Sequence, residues 1–404
     1  RPFAVDLMPR VVNEHEWTNL SDGLLQRARA VEFFLQDVYS EQRVLTDGIL
    51  DRDLVLNCPG WRQEATRLPP GTVRGPVMGF DLVRNEFGGW RVLEDNLRNP
   101  SGAAYALAIR DLMDAVLPDL PRPAGLLDPA ESLPALRDCL LDGFGPDGNA
   151  ALLSSGAGSS AWFEHQLLAE RARLLLLTAD DLQVRGGRVV AHGETPVDAL
   201  YLRLDDELVD LTNSAGQPIG ADVFEVAVAG RVRLANAPGN GVADDKSMYC
   251  YVPELIAYYL DERPVLESVP TYRTSDAAEC RIVLERVGEL VTKPVDGHGG
   301  LGVLIGPDAS ASQVAARRAE IAAQPERWVA QEVVALSSHP TFAGELLEPR
   351  HVDLRAFVYL WGTEQGQSRL AHLALTRVAP EGSLVVNSSR GGGAKDTWII
   401  GESK

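Results

Sequence analysis

The residues best suited to chemistry form one short run, Leu290-Val291-Thr292-Lys293-Pro294-Val295-Asp296-Gly297-His298-Gly299-Gly300-Leu301-Gly302-Val303-Leu304-Ile305. A strand ending in lysine, a glycine-rich loop and a second strand can fold main-chain N–H groups over a polyphosphate, because glycine permits close approach and positive φ. The run is not a P-loop, which would end in GK[S/T] and open a helix; its other reading is a flexible hairpin. The chain holds only four lysines against 34 arginines. Three of them, Lys246, Lys293 and Lys395, stand in compact polar or glycine-rich stretches, where an ammonium point charge suits phosphate contact in a tight pocket. Drift in a lysine-poor composition is the alternative for any one of them.

Two further sets accompany this run. Glu94 and Asn96 share one face of a strand, and Asp81 lies on its expected partner; oxygen donors so placed suit Mg²⁺ that also takes phosphate oxygens and water. Solvated strand-end acids are the plainer reading. Near the C-terminus, Asp353 and Arg355 lie in one strand and Arg377 in another, ahead of Asn387-Ser388-Ser389-Arg390-Gly391-Gly392-Gly393-Ala394-Lys395-Asp396. Arginines opening toward a glycine- and amide-bearing loop can cradle a transferring phosphoryl group and a carboxylate. Each arginine alone would read as a surface ion pair. The seven histidines are scattered, and no Ser/His/Asp or Cys/His set suggests a protein nucleophile.

The elements that position these groups are legible in outline. Residues 19–40 have helical apolar spacing, with Ser21 or Asp22 as cap. Residues 78–96 read as a hairpin turning at Gly88-Gly89. Pro-rich Leu117 to Pro129 reads as a linker. From Ala150 a strand, the turn Ser155-Gly156-Ala157-Gly158-Ser159-Ser160, a helix through Arg173 and the strand Leu174–Leu177 make a β-α-β unit. That turn is either an anion site or a tight strand-to-helix turn. Helices are expected over 251–266 and near 276–288, and strands over 289–293, 328–334, 352–360 and 370–378.

A 404-residue chain exceeds one ordinary core, so two or three lobes are expected. The formal charge of −19 argues against a nucleic-acid or anionic-membrane surface. It leaves an anionic nucleotide possible, since charges are screened over about 8 Å. Cys58, Cys139, Cys250 and Cys280 form no CxxC, which points to reduced thiols and a cytoplasmic enzyme. No run approaches the roughly 18 apolar residues of a membrane span. The chain opens at Arg1 without an initiator methionine, and a trimmed start is expected.

Taken in order, these residues resemble the ATP-grasp superfamily, and more closely its circularly permuted branch related to glutathionylspermidine synthase. Val269-Pro270-Thr271, Lys293 to Gly302, Gln331-Glu332-Val333-Val334, Asp353-Leu354-Arg355 and Asn387 to Gly393 follow the superfamily's order. The metal-like segment Asp81…Glu94-Asp95-Asn96 comes first instead of last, as a circular permutation requires. The resemblance implies an α/β (α+β) ATP-grasp fold with an added β-α-β lobe. Its implied parts are a helical and metal-binding part at 1–125, an α/β lobe at 126–265, and a nucleotide and phosphate-loop part at 266–404. It implies that Lys246 and Lys293, with Gly297, Gly299 and Gly300, contact ATP, and that Gln331, Glu332, Val333 and Val334 form the adenine hinge. Asp81, Glu94 and Asn96 would hold Mg²⁺. Arg98, Arg355, Arg377, Asn387 and Lys395 would face the phosphates. The implied activity is an ATP-dependent carboxylate-amine ligase acting on small-molecule or peptide acids and amines; a small-molecule kinase and a nucleotide-binding partner protein without turnover are the alternatives. Two departures stand out: Gly79 occupies a position where the pattern has arginine, and relatives carry more sequence before the Arg1-Pro2-Phe3 segment. No amidase domain is visible, so glutathione and spermidine do not carry over.

Overall fold

The computed structural model describes residues 4–85, 87–295, 297, 302–383, 386 and 392–401. The largest sheet runs Ala4–Val12, Gly393–Ile399, Ser368–Val378, Leu346–Leu360, Val77–Arg84, Trp90–Asn96 and Glu267–Ser268, with Ser338–Ala343 paired to the Leu346 strand. A parallel sheet orders Arg233–Ala235, Ala199–Arg203, Ala150–Ser154 and Leu175–Leu177. A smaller antiparallel sheet orders Thr271–Arg273, Trp328–Glu332, Leu290–Pro294 and Leu304–Ile305. The expected hairpin and β-α-β unit are both present: Asp81 pairs with Glu94, and Ala151 pairs in parallel with Leu175.

The long helix is Glu14–Val38, five residues earlier than its apolar spacing alone predicts. Asn13 explains the shift. Its side chain accepts from the Glu16 N–H, and Glu16 reaches back to the Asn13 N–H, closing a capping box. The helix buries Leu20, Leu24, Val31, Phe34 and Leu35 against Phe80, Leu82, Val92, Leu354 and Val358 of the large sheet. The second expected helix is shorter, Val252–Leu260. It ends at Asp261 with φ of +54°, three residues before Pro264, whose ring disfavours helix in the residue ahead of it.

The spans 1–125, 126–265 and 266–404 do not map onto three separate cores. Val242 through Ile256 pack into the core of the long helix rather than the parallel-sheet lobe, and Leu354, Val358 and Leu370 join that same core from the C-terminal third. Long-range packing, which local composition does not encode, decides this division. Among the described residues no helix is long and apolar enough to cross a membrane. All four cysteines are free, with Cys58 and Cys139 buried.

One buried ion pair fixes the strand Trp90–Asn96 to the helix. Arg27 Nε and Nη2 each lie 2.7 Å from an Asp95 carboxylate oxygen, and both side chains are at most 2% exposed. Arg27 Nη1 also donates to Ser268 Oγ at 2.9 Å, and its guanidinium lies 5.2 Å from the Tyr249 ring centre. The pair determines which side of the strand Asp95 occupies, and so which side is left to Glu94 and Asn96. Arg27→Met strands the Asp95 carboxylate and is expected to cost about 3–5 kcal/mol. Arg27→Met with Asp95→Leu should recover most of that loss in urea unfolding.

Candidate active site

A cleft opens between the large sheet and the small antiparallel sheet, lined by Leu93, Glu94, Asp244, Lys246, Thr271, Lys293, Val329 and Gln331 among others. The register that builds it has a β-bulge. Asp81 pairs with Glu94 while Leu82 pairs with Val92, so Leu93 is the extra residue. The freed Leu93 carbonyl accepts from Gln331 Nε2 at 3.4 Å, and Glu94 is turned toward the cleft. Lys246 Nζ lies 3.2 Å from Glu94 Oε1 and donates to the Gly297 carbonyl at 2.5 Å, which ties it to the glycine-rich segment. Lys293 Nζ donates to Gln331 Oε1 at 2.6 Å. Burial pushes the Lys293 ammonium below its ordinary pKa; Glu94 opposes the shift and Lys246 adds to it.

Beside the cleft, acids and arginines alternate across three strands. Arg355 pairs in register with Asp81, and Arg377 with Asp353. Arg355 Nε and Nη2 lie 2.5 and 2.8 Å from the Asp81 oxygens, and Arg377 Nη2 lies 2.8 Å from Oδ2. Arg377 also forks onto Asp353, Nε to Oδ1 at 2.9 Å and Nη2 to Oδ2 at 2.5 Å. Burial pushes the Asp81 carboxyl up, but the two arginines outweigh it and hold it well below the usual carboxylate range. Two convergent guanidinium groups on one face suit an incoming oxyanion.

The proposed metal set is brought together, in an uneven state. Asp81 already has both oxygens on arginines. Asn96 is under-satisfied: its Nδ2 is buried without a partner, and its Oδ1 has a 3.4 Å contact from Arg355. Among the described residues no group of three or more His, Cys, Asp or Glu converges on a metal position. The hard oxygens of Glu94 and Asn96 fit Mg²⁺ arriving with phosphate oxygens.

Other sequence expectations are corrected or fall elsewhere. Lys395 does not sit in a phosphate-facing loop. It pairs with Thr376 while its neighbour Ala394 pairs with Arg377, so strand alternation puts it on the opposite face from Asp81. There its buried ammonium meets Asp6 and donates to the Pro340 carbonyl at 2.9 Å. Arg98 reaches the Asp205 carbonyl at 2.9 Å and Glu207 at 3.5 Å, toward the parallel-sheet lobe. Glu332 is engaged by Tyr272 and Arg286, each at 2.7 Å. Val333 and Val334 follow directly as half-buried residues outside the strand, and their main-chain groups have no backbone partner among the described residues. Gly299, Gly300, His298 and Asn387 lie outside the described residues. A Cβ at Gly79 would come within 2.9 Å of the Pro100 Cβ, so the arginine of the related pattern does not fit there. The Ser155–Ser160 turn is closed structurally: Ser155 Oγ accepts from the Asp205 N–H at 2.9 Å, and Ser159 Oγ donates to the Asp205 carboxylate at 3.2 Å.

Sequence reasoning overlooked Asp244, although it stands two residues before Lys246. Burial pushes its carboxyl up to about 6, with the Leu97 and Arg98 N–H groups opposing and Glu94 reinforcing. A raised native pKa contributes stability that is complete below the unfolded value of about 3.9 and is lost as pH rises through the native one. In ligand-free protein, the melting temperature of wild type should therefore fall relative to Asp244→Asn between pH 4 and 7. Lys395→Met should strand buried Asp6, costing about 3–5 kcal/mol, while nucleotide affinity measured by calorimetry stays unchanged in the folded fraction.

Residues 9–379 match the family model described as circularly permuted ATP-grasp type 2. A Frankia casuarinae protein named "Putative glutamate--cysteine ligase 2-2" is 47% identical over 99% of this chain, and a Frankia alni protein of similar name is also 47% identical. The chain spans only 47% of each of those two proteins. An uncharacterized Mycobacterium tuberculosis protein is 43% identical, over 99% of this chain and 74% of its own length. Among solved structures, a glutathione synthetase like-effector from Globodera pallida in apoform superposes with a TM-score of 0.58 at 10% identity, covering all of this chain and 91% of that one. That likeness speaks to the fold, which is α/β with several sheets. The chain belongs to the circularly permuted ATP-grasp type 2 family.

Proposed function

We propose that this protein is an ATP- and Mg²⁺-dependent carboxylate-amine ligase that works through an acyl phosphate. The observation that carries the reading is the convergence of Lys246, Lys293, Glu94 and the Asp81–Arg355–Arg377 group, from four separate stretches of chain, on one cleft and its rim. Lys246 and Lys293 would bind the polyphosphate, with adenine against the main chain of Gln331 to Val334. Glu94 and Asn96 would hold Mg²⁺, which neutralises charge on the phosphate oxygens. Arg355 and Arg377 would orient the acid and stabilise the transferring phosphoryl group.

A carboxylate oxygen attacks the γ-phosphorus, the bond to the β-phosphate oxygen breaks, and ADP leaves. The amine nitrogen then attacks the acyl carbon and loses a proton as phosphate departs. Positioning and charge neutralisation account for such transfer without a protein nucleophile. The glutamate–cysteine ligase name of two relatives describes a reaction of this class, so glutamate and cysteine head the substrate panel.

With ATP, Mg²⁺, acid and amine all supplied, ADP and free phosphate should appear together. ADP without free phosphate, with phosphate retained on the product, would instead identify a kinase. ATP binding with no turnover across the panel would identify a binding module. Lys293→Ala and Glu94→Ala should each lower turnover by roughly 10²–10³-fold or more with unchanged circular dichroism. The first should act mainly on ATP affinity and the second on metal dependence.

A further inference from the structure

A second cavity lies on the other face of the large sheet, lined in part by Arg10, Arg84, Phe87, Ser338, His339 and Val352. Arg84 pairs with Trp90, and Leu82 and Val92 on the same face pack against the helix Glu14–Val38. The cavity is therefore separated from Asp81 and Glu94 by the thickness of the sheet. Arg10 dominates it. This side chain is only 5% exposed, yet no carboxylate lies within ion-pair distance among the described residues. Among the described residues its side chain makes one hydrogen bond, from Nη1 to the Asp353 carbonyl at 3.0 Å, and its guanidinium sits 5.0 Å from the Trp90 ring centre. None of its nitrogens is sealed without a partner, so the N–H groups that Asp353 does not take open onto the cavity.

A buried, unpaired guanidinium is costly and calls for an anion. The neighbouring cations are already compensated: Arg84 Nη2 lies 3.0 Å from Glu16, and Lys395 meets Asp6. Among the described residues Arg10 has no ion-pair partner, and a single positive charge of that kind matches a monoanion better than a phosphate dianion, while the planar fork matches a carboxylate. Phe87, exposed at the mouth, and Val352 in the wall offer apolar surface to the rest of the ligand. We infer that this cavity is a binding site, separate from the nucleotide cleft, for a small monocarboxylic acid with an apolar body. Because Arg10 also holds the Asp353 carbonyl, and Asp353 holds Arg377 on the other face, occupancy would reach the arginine cluster through one residue of backbone.

Calorimetric titration of the nucleotide-free chain with phenylacetate tests this without depending on any activity. Saturable binding is expected, unchanged by saturating non-hydrolysable ATP analogue, and weakened at least tenfold by Arg10→Met. The exposed Phe87→Ala should weaken it severalfold without affecting folding. Glu16→Gln keeps the capping box but uncompensates Arg84, and should bring inorganic phosphate into the site. The inference is overturned if wild type does not bind phenylacetate, if neutral phenylacetamide or phosphate binds wild type equally well, if the ATP analogue displaces it, or if folded Arg10→Met binds unchanged.

Discussion

The buried pair between Arg27 and Asp95 is the constraint on which the active face depends. Three consecutive residues, Glu94, Asp95 and Asn96, alternate across a strand, and the middle one is locked to the long helix by two short charge-assisted hydrogen bonds. With Asp95 held on the core side, its neighbours can only face the cleft. Tyr249 strengthens the same junction, donating to the Val92 carbonyl at 2.6 Å and accepting from the Val269 N–H at 2.8 Å. Val269 leads directly to Thr271 in the small sheet, so a single strand edge sets the distance between the two walls of the site.

The second organising element is the ladder of opposite charges on the cleft side of the large sheet. Asp81 carries two arginines and Arg377 carries two aspartates, so each group's orientation is fixed by partners on neighbouring strands. Such a network is well ordered before any ligand enters, which lowers the reorganisation required when an oxyanion arrives. It also couples the groups electrostatically, so that removing one alters the protonation and position of the rest.

Much of this was legible in the sequence where local chemistry and strand period agree. Lys293 announces itself by the glycines that follow it, and Glu94 with Asn96 by spacing two apart. Lys395 misled because glycines precede it in the chain, while its facing depends on a register with Thr376 that only tertiary pairing sets; a shift of one residue exchanges the faces. Asp244 was hidden because a carboxylate's burial is a property of the packed core. Asn13 and Glu16 carried a readable capping signal that the apolar spacing from Leu24 onward obscured. The division into lobes was the least legible, since Val242 to Ile256 join their core through contacts with a helix more than 200 residues earlier.

The strand Ala4–Val12 pairs in parallel with Gly393–Ile399, a partner almost 390 residues away in sequence. Asp6 and Lys395 meet at that seam, and Asp6 also accepts from the Phe342 N–H at 2.6 Å. During synthesis the first of these strands emerges almost 390 residues before its mate, and its edge waits for that partner. Closing so long a loop is entropically expensive and slow relative to local pairing. The large sheet can close only after the residues of the parallel-sheet lobe and of the small antiparallel sheet have been made. An unpaired edge exposed for that interval is an opening for association with other chains.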